Sequence, residues 1–204
     1  MLIGAPTAYA KDSKEDRFKR KGGQADFTIG MSACIPGKGR CKDGAASKTA
    51  PMVGFALDLG YRINKYMFTG AGYSLGFFDP QYIVSGKNAF SHAFQSTVVA
   101  VLRGIVPAGR LDLGFDLSPG WSRVTFKTGA QTNYSQGFAL KPGFSAMLWF
   151  GPQIFAGLKA DTIFNFHRTV CKRNGGSTSC EVNPRDKHTL VHQAILGVHI
   201  GGTF

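Results

Sequence analysis

The sequence predicts an all-β fold, an eight-stranded antiparallel up-and-down transmembrane β-barrel. Three observations carry that prediction. Apolar and polar residues alternate with period two in eight separate segments. The connections between those segments are short and long by turns. One face of the segments is bulky and apolar, while the other holds glycine, small polar and charged residues. Composition agrees. The chain has 204 residues, enough for one domain with a full core. Charged residues make up 18%, below the ~25% usual for soluble domains, and 27 residues are Gly. A hydrophobic content of 43% with 17 Phe excludes a disordered chain. The longest apolar runs, such as 98–102, fall far short of the ~20 residues of a membrane helix.

The segments follow in order. In 26–34 the apolar set is Phe27, Ile29, Met31 and Ala33; in 52–62 it is Val53, Phe55, Leu57, Leu59 and Tyr61. In 66–77, Met67, Ala71, Tyr73, Leu75 and Phe77 face away from a row of Gly and Ser. Phe94, Val98, Ala100, Leu102 and Val106 form the face of 94–106, and Leu111, Leu113, Phe115, Leu117 and Trp121 that of 110–121. Segment 138–150 contributes Phe138, Leu140, Phe144, Ala146, Leu148 and Phe150; segment 154–166 contributes Ile154, Leu158, Ala160, Phe164 and Phe166. The last segment, 190–204, alternates through Leu196, Val198 and Ile200 to Phe204. Tight turns are expected at 63–65, 107–109 and 151–152, and long polar loops at 34–51, 78–93, 122–137 and 167–189.

Alternation alone does not say which face is inside. A soluble ligand-binding barrel would turn its apolar face inward, and a membrane barrel would turn it toward lipid. The opposite face carries Asp58, Arg62, Arg103, Asp112, Asp116, Lys141, Lys159 and Asp161 among small residues. An eight-stranded barrel is only wide enough for side chains to fill it, so that face suits a solid polar lumen. Aromatic residues also gather at both ends of the apolar face: Tyr61, Phe150 and Phe204 at the short turns, and Phe77, Phe94, Trp121, Phe138 and Phe166 at the long loops. Such girdles mark the two membrane interfaces.

Residues 1–10 end in Ala8-Tyr9-Ala10, the small-x-small form of a signal-peptidase site, and read as the back end of an export signal. Residues 11–23 read as a polar periplasmic segment, and 24–204 as the barrel. The four cysteines form two local pairs, Cys34 with Cys41 and Cys171 with Cys180, each bracketing a Gly- and Lys-rich turn. An even count in an exported chain reads as disulfides, and local pairing is the expected one of three connectivities. Zinc prefers closer ligand spacing, so no metal site is expected.

The terminal strand Leu196-Gly197-Val198-His199-Ile200-Gly201-Gly202-Thr203-Phe204, with the eight alternating segments before it, resembles the OmpA/OmpX-type family of small eight-stranded outer-membrane barrels. The resemblance covers about residues 24–204. It implies a bacterial outer-membrane location with both termini periplasmic and four external loops. It also implies that Leu196, Val198, Ile200 and Phe204 serve as the signal read by the barrel-assembly machinery. Gly202 departs from that pattern, where a bulkier residue is usual. The fold hosts adhesins, structural proteins, narrow pores and lipid-modifying enzymes, so the resemblance leaves activity open.

The search for chemistry gives weak signals. No glycine-rich stretch has phosphate-loop spacing. Phe166-His167-Arg168-Thr169 is similar to the His-x-Ser stretch of outer-membrane lipid A deacylases. However, Thr169 replaces Ser, parity points His167 to the lumen, and Glu181 is the only nearby Glu. The lumen charges read as a mutually compensating network, since unpaired buried charge is costly; a conducting or catalytic set is the rival reading. Lys and Arg outnumber Asp and Glu by 24 to 12. Part of that surplus, Lys38, Arg40, Lys42, Lys172 and Arg173, lies where external loops would meet lipopolysaccharide phosphates. Nucleic-acid binding is not expected, because the strand faces are apolar. The sequence thus favours a non-enzymatic outer-membrane barrel with a structural or surface-interaction role. Its expected partners are outer-membrane lipid, lipopolysaccharide, the assembly machinery, and an envelope or extracellular protein, and no cofactor is expected. A lipid A deacylase-like enzyme and a narrow pore for small solutes are the alternatives.

Overall fold

A computed structural model describes residues 20–35, 48–81, 83–84, 87–88, 90–182 and 191–204. Its strands are β1 (Gly22–Ile35), β2 (Lys48–Asn64), β3 (Met67–Gln81), the two-residue pair β4 (Ile83–Val84) and β5 (Lys87–Asn88), β6 (His92–Ala108), β7 (Leu111–Thr128), β8 (Gln131–Trp149), β9 (Ile154–Asn174), β10 (Ser177–Val182) and β11 (His192–Thr203). Eight of them pair in the order β9-β11-β1-β2-β3-β6-β7-β8, and a β8–β9 ladder closes the ring. All pairs are antiparallel, so the barrel is of the up-and-down kind. Closure leaves no barrel edge to solvate, which is what a sheet within lipid requires. β10 lies outside the ring as an added strand on the far end of β9.

The alternating faces sort as one wall. Phe27, Ile29, Leu57, Leu59, Tyr73, Val98, Leu102, Phe115, Leu117, Phe144, Leu158 and Val198 are exposed on the outside. Asp26, Thr28, Asp58, Ser74, Thr97, Arg103, Asp116, Lys141, Lys159 and Asp161 are buried inside. An exposed apolar belt around a buried charged core is stable only if the medium outside is apolar.

The long-loop end differs from the sequence expectation: strands extend into all four expected loops, with the β2–β3 ladder reaching Lys48↔Gln81 inside 34–51 and 78–93. Segment 122–137, expected as a polar loop, continues the β7–β8 ladder to Thr128↔Gln131. Segment 167–182 continues as the β9–β10 hairpin, paired to Ser177↔Asn174. The reversals are tight because Gly129 (φ 52) and Gly175 (φ 58) adopt the left-handed conformation that other residues reach only with strain. At the opposite end, Gly109 (φ 64) turns β6 into β7, and the Asn64 side chain accepts a hydrogen bond from the Tyr66 N–H at 2.8 Å in the β2–β3 turn.

Both mouths of the lumen are apolar, which the alternation pattern did not predict. Phe78, Ala93, Val124, Phe126 and Val191 cap the long-loop end, with Cys34 and Phe90 packed on them. Met147, Trp149 and Phe155 form a second cap at the short-turn end, and Phe68 packs with Val99, Val101 and Ile105 along one wall. The charged layer around Arg103 lies between these caps, while Arg20, Arg62 and Asp112 gather around Trp149 within the short-turn cap itself.

Candidate functional site

The lumen charges form two clusters, a large one around Arg103 and a smaller one around Asp112. Arg103 is the node of the large one: its guanidinium bonds Asp116 at 2.5 Å, Asp58 at 2.9 Å, and Asp26. Lys159 reaches Asp58, Asp116 (3.4 Å) and Asp161 (3.6 Å), and Lys141 lies 3.5 Å from Asp58 and 3.4 Å from Asp161. Nearer the short turns, Arg62 pairs with Asp112 at 2.9 Å, and the Trp149 indole N–H donates to the same carboxylate at 2.8 Å. Arg62 also lies over the Trp149 ring at 5.6 Å.

Asp58, Arg62, Arg103, Asp112, Asp116, Lys141, Lys159 and Asp161 all point inward, each at most 5% exposed. Three further members escaped the sequence reading. Asp26 alternates inward from β1, and His199 from β11 lies 3.4 Å from it. Arg20 precedes the first strand, yet it enters the lumen to meet Asp112 at 3.1 Å and donates to the Gly109 carbonyl. No periodicity could have found Arg20, because it belongs to no strand. Among the described residues the buried set comprises five acids (Asp26, Asp58, Asp112, Asp116, Asp161) and five bases (Arg20, Arg62, Arg103, Lys141, Lys159). Equal numbers let every buried charge have a counter-charge, the condition for tolerating them at all.

Above this layer the network turns neutral. His167 is held between two hydroxyls, Ser122 Oγ at 2.7 Å from Nε2 and Ser135 Oγ at 2.8 Å from Nδ1. Ser122 also donates to Asn165 Oδ1 at 2.5 Å, and Asn165 and Gln95 exchange amide bonds of 3.0 and 3.1 Å. His167 therefore lines the lumen, while Thr169 pairs with outward-facing Gln136 across a register shift. The two lie on opposite sides of the wall and form no nucleophile–base pair. His192 faces outward, meets Phe164 edge to face and accepts the Asn165 N–H at 3.1 Å.

The other sequence candidates fall as follows. Cys171 and Cys180 face each other across β9 and β10 and are joined by a disulfide. Cys34 is disulfide-bonded, and Cys41 lies outside the described residues, as do Lys38, Arg40 and Lys42. Lys172 and Arg173 are exposed on the β9–β10 hairpin. Leu196, Val198, Ile200 and Phe204 share the outward face of the last strand. Gly202 has a local reason: a Cβ there would stand 2.8 Å from the Gln153 carbonyl oxygen, which already accepts the Thr203 N–H at 2.8 Å.

Cations also lie just beyond the outer girdle, of which Arg123 and Lys127 were not singled out from the sequence. Arg123 lies 3.7 Å over the Tyr134 ring, Lys127 lies 5.6 Å over Phe94 farther out on β7, and Arg168 is exposed on β9 at the level of Arg123. Cations stacked on interfacial aromatics suit the boundary between apolar and anionic surroundings.

No protein-family model and no curated protein matches the sequence. Solved structures do match in fold. The chain is similar to Neisserial surface protein A (NspA), with a TM-score of 0.57 and 12% identity over 89% of this chain and 96% of that one. It is also similar to the outer membrane protein OprG from Pseudomonas aeruginosa, with a TM-score of 0.53 and 11% identity over 91% and 98% of the two chains. At such identities the likeness speaks for architecture alone. The architecture is nonetheless definite: the chain is a closed eight-stranded antiparallel barrel with the fold of the small outer-membrane β-barrels.

Proposed function

We propose that the chain is a non-enzymatic barrel of the bacterial outer membrane that anchors a basic, strand-built platform at the cell surface. In this reading the short turns and both termini are periplasmic, and the β7–β8 and β9–β10 hairpins project outward. The observation that carries it is a division of labour in the wall. The lumen is filled with paired charges between two apolar caps, and its charged side chains are almost inaccessible to water. Such a filled lumen favours an anchoring role over a solute path or an interior active site. The projecting hairpins, in contrast, expose Lys172 and Arg173 on a scaffold stiffened by the Cys171–Cys180 bridge. Such a platform suits anionic surroundings: lipopolysaccharide, or an acidic envelope or extracellular protein. The terminal residues Leu196, Val198, Ile200 and Phe204 are assigned to recognition by the barrel-assembly machinery.

Trypsin treatment of intact cells, read by peptide mass spectrometry, tests the orientation. Cleavage after Lys172 and Arg173 with the Lys65 turn spared is the expected result; the reverse pattern refutes it. For the platform, barrels in neutral phosphatidylcholine nanodiscs are probed with dextran sulfate. The K172E/R173E variant should bind less and lose much of the salt dependence, since screened charge pairs weaken with ionic strength. Unchanged binding would reject the platform.

A further inference from the structure

Outside the barrel, where β8 and β9 leave the aromatic girdle, the wall carries a groove of about 510 Å³. Trp121, Phe138 and Phe166 form one part of its lining, and Gln136, Arg168 and Thr169 the other. A β-bulge builds the polar part. The β8–β9 register shifts between Gln136↔Thr169 and Gly137↔His167, leaving Arg168 as the extra residue. In a regular strand Arg168 and Thr169 would point to opposite faces. The bulge turns both to the outside, the usual consequence of an inserted residue. Gln136 is flanked on its other side by Arg123, its partner across the β7–β8 ladder.

We propose that this groove binds the phosphorylated lipid moiety of lipopolysaccharide. Its aromatic part lies on the apolar belt, where neither water nor a polar protein segment would be stable, so a lipid acyl chain is the fitting occupant. The cations above it lie one residue pair beyond the girdle, at headgroup level. A phosphate monoester on a sugar carries acceptor oxygens and no cation of its own. Arg168 and Arg123 offer guanidinium donors to it, and Gln136 and Thr169 offer an amide and a hydroxyl to the sugar. A zwitterionic phospholipid would bring an ammonium group into the same cationic rim. The proposal rests on the outward orientation of the hairpins given above, because that orientation sets this end of the barrel against the lipopolysaccharide leaflet.

The test uses full-length protein refolded in detergent and equilibrated with bis-phosphorylated lipid A, phosphatidylglycerol or phosphatidylethanolamine. Native mass spectrometry then counts the lipid retained on the folded barrel. A single lipid A should be retained in preference to either phospholipid. R168E should lower retention about tenfold, and R168Q less, as expected for loss or reversal of a cation near anionic headgroups. K65E, which changes an exposed cation on the opposite rim, should bind like wild type. Heat-modified gel mobility confirms that each variant is folded. Equal retention of lipid A and phosphatidylglycerol, or full retention by both Arg168 variants, would overturn the proposal. This assay does not depend on membrane orientation, so its failure is separable from the failure of the protease test.

Discussion

Replacing Arg103 with methionine removes the node of the lumen network while preserving much of its length. The three carboxylates that lose it are not equally provided for. Asp58 keeps Lys159 and Lys141, and Asp116 keeps Lys159 at 3.4 Å. Among the described residues Asp26 keeps one ion-pair partner, His199, also at 3.4 Å. The variant thus leaves five acids facing four bases in a site shielded from water. Removing one partner of a buried ion pair typically costs ~3–5 kcal/mol. With a urea dependence of ~2 kcal/mol per molar, the unfolding midpoint should fall by ~1.5–2.5 M. The assay is urea unfolding of protein refolded into phospholipid vesicles, followed by Trp fluorescence. Adding Asp26→Asn to Arg103→Met restores charge balance, so the double variant should recover a large part of the loss and show strong non-additivity. A midpoint within about 0.5 M of wild type for R103M would refute the claim that paired charge holds the lumen together. So would additive effects in the double variant.

Four further expectations follow from the same geometry. Purified barrel in a planar bilayer should give no stable conductance, because side chains and apolar caps fill the lumen; reproducible open-channel steps would reject a sealed interior. Reducing Cys171–Cys180, nine residues apart, should loosen the β9–β10 hairpin by at most ~2.5 kcal/mol in the chain-entropy model. Faster proteolysis at Lys172 with unchanged barrel mobility on gels is the readout. Deleting Phe204 removes ~1.5–3 kcal/mol of apolar burial at most, so refolded protein should persist while insertion in cells falls much further; wild-type insertion would reject its role as an assembly signal. Gly202→Val drives a side chain onto the Gln153 carbonyl and should cost ~1–3 kcal/mol in vesicle unfolding, and a neutral effect would show that the β8–β9 turn gives way.

The barrel itself was legible because lipid imposes one rule along every strand. Phe115, Leu117 and Trp121 alternate with Asp112, Asp116 and Ser118 for the same reason that Leu57 and Leu59 alternate with Asp58. That rule orients each lumen charge without stating which charges meet. Arg103 on β6 reaches Asp26 on β1, across the barrel interior, and strand order must be known before such a pair can be seen. Arg20 was beyond reach altogether. It lies in a polar stretch with mixed charge, and its place shows only in its contacts with Asp112 and the Gly109 carbonyl.

The outer hairpins depart from the expected polar loops for a related physical reason. Within lipid the apolar residues of β7 point outward, ending at Trp121. Beyond that point the same strand continues, but Val124 and Phe126 are buried inside, while Arg123 and Lys127 face out. The inward parity never changes; the polarity of the two faces does. Once the strand leaves lipid, water lies outside and the lumen mouth becomes the driest place available, so apolar side chains move inward to form the cap. A reading that follows one phase of alternation sees the pattern stop and assigns a loop. The inversion itself locates the boundary of the lipid, between Trp121 and Arg123 on β7. The bulge at Arg168 lies at the same level on β9, two strands away. That the wall changes polarity and acquires an extra cation at one depth is why the groove there is read as a place where a charged lipid headgroup meets the barrel.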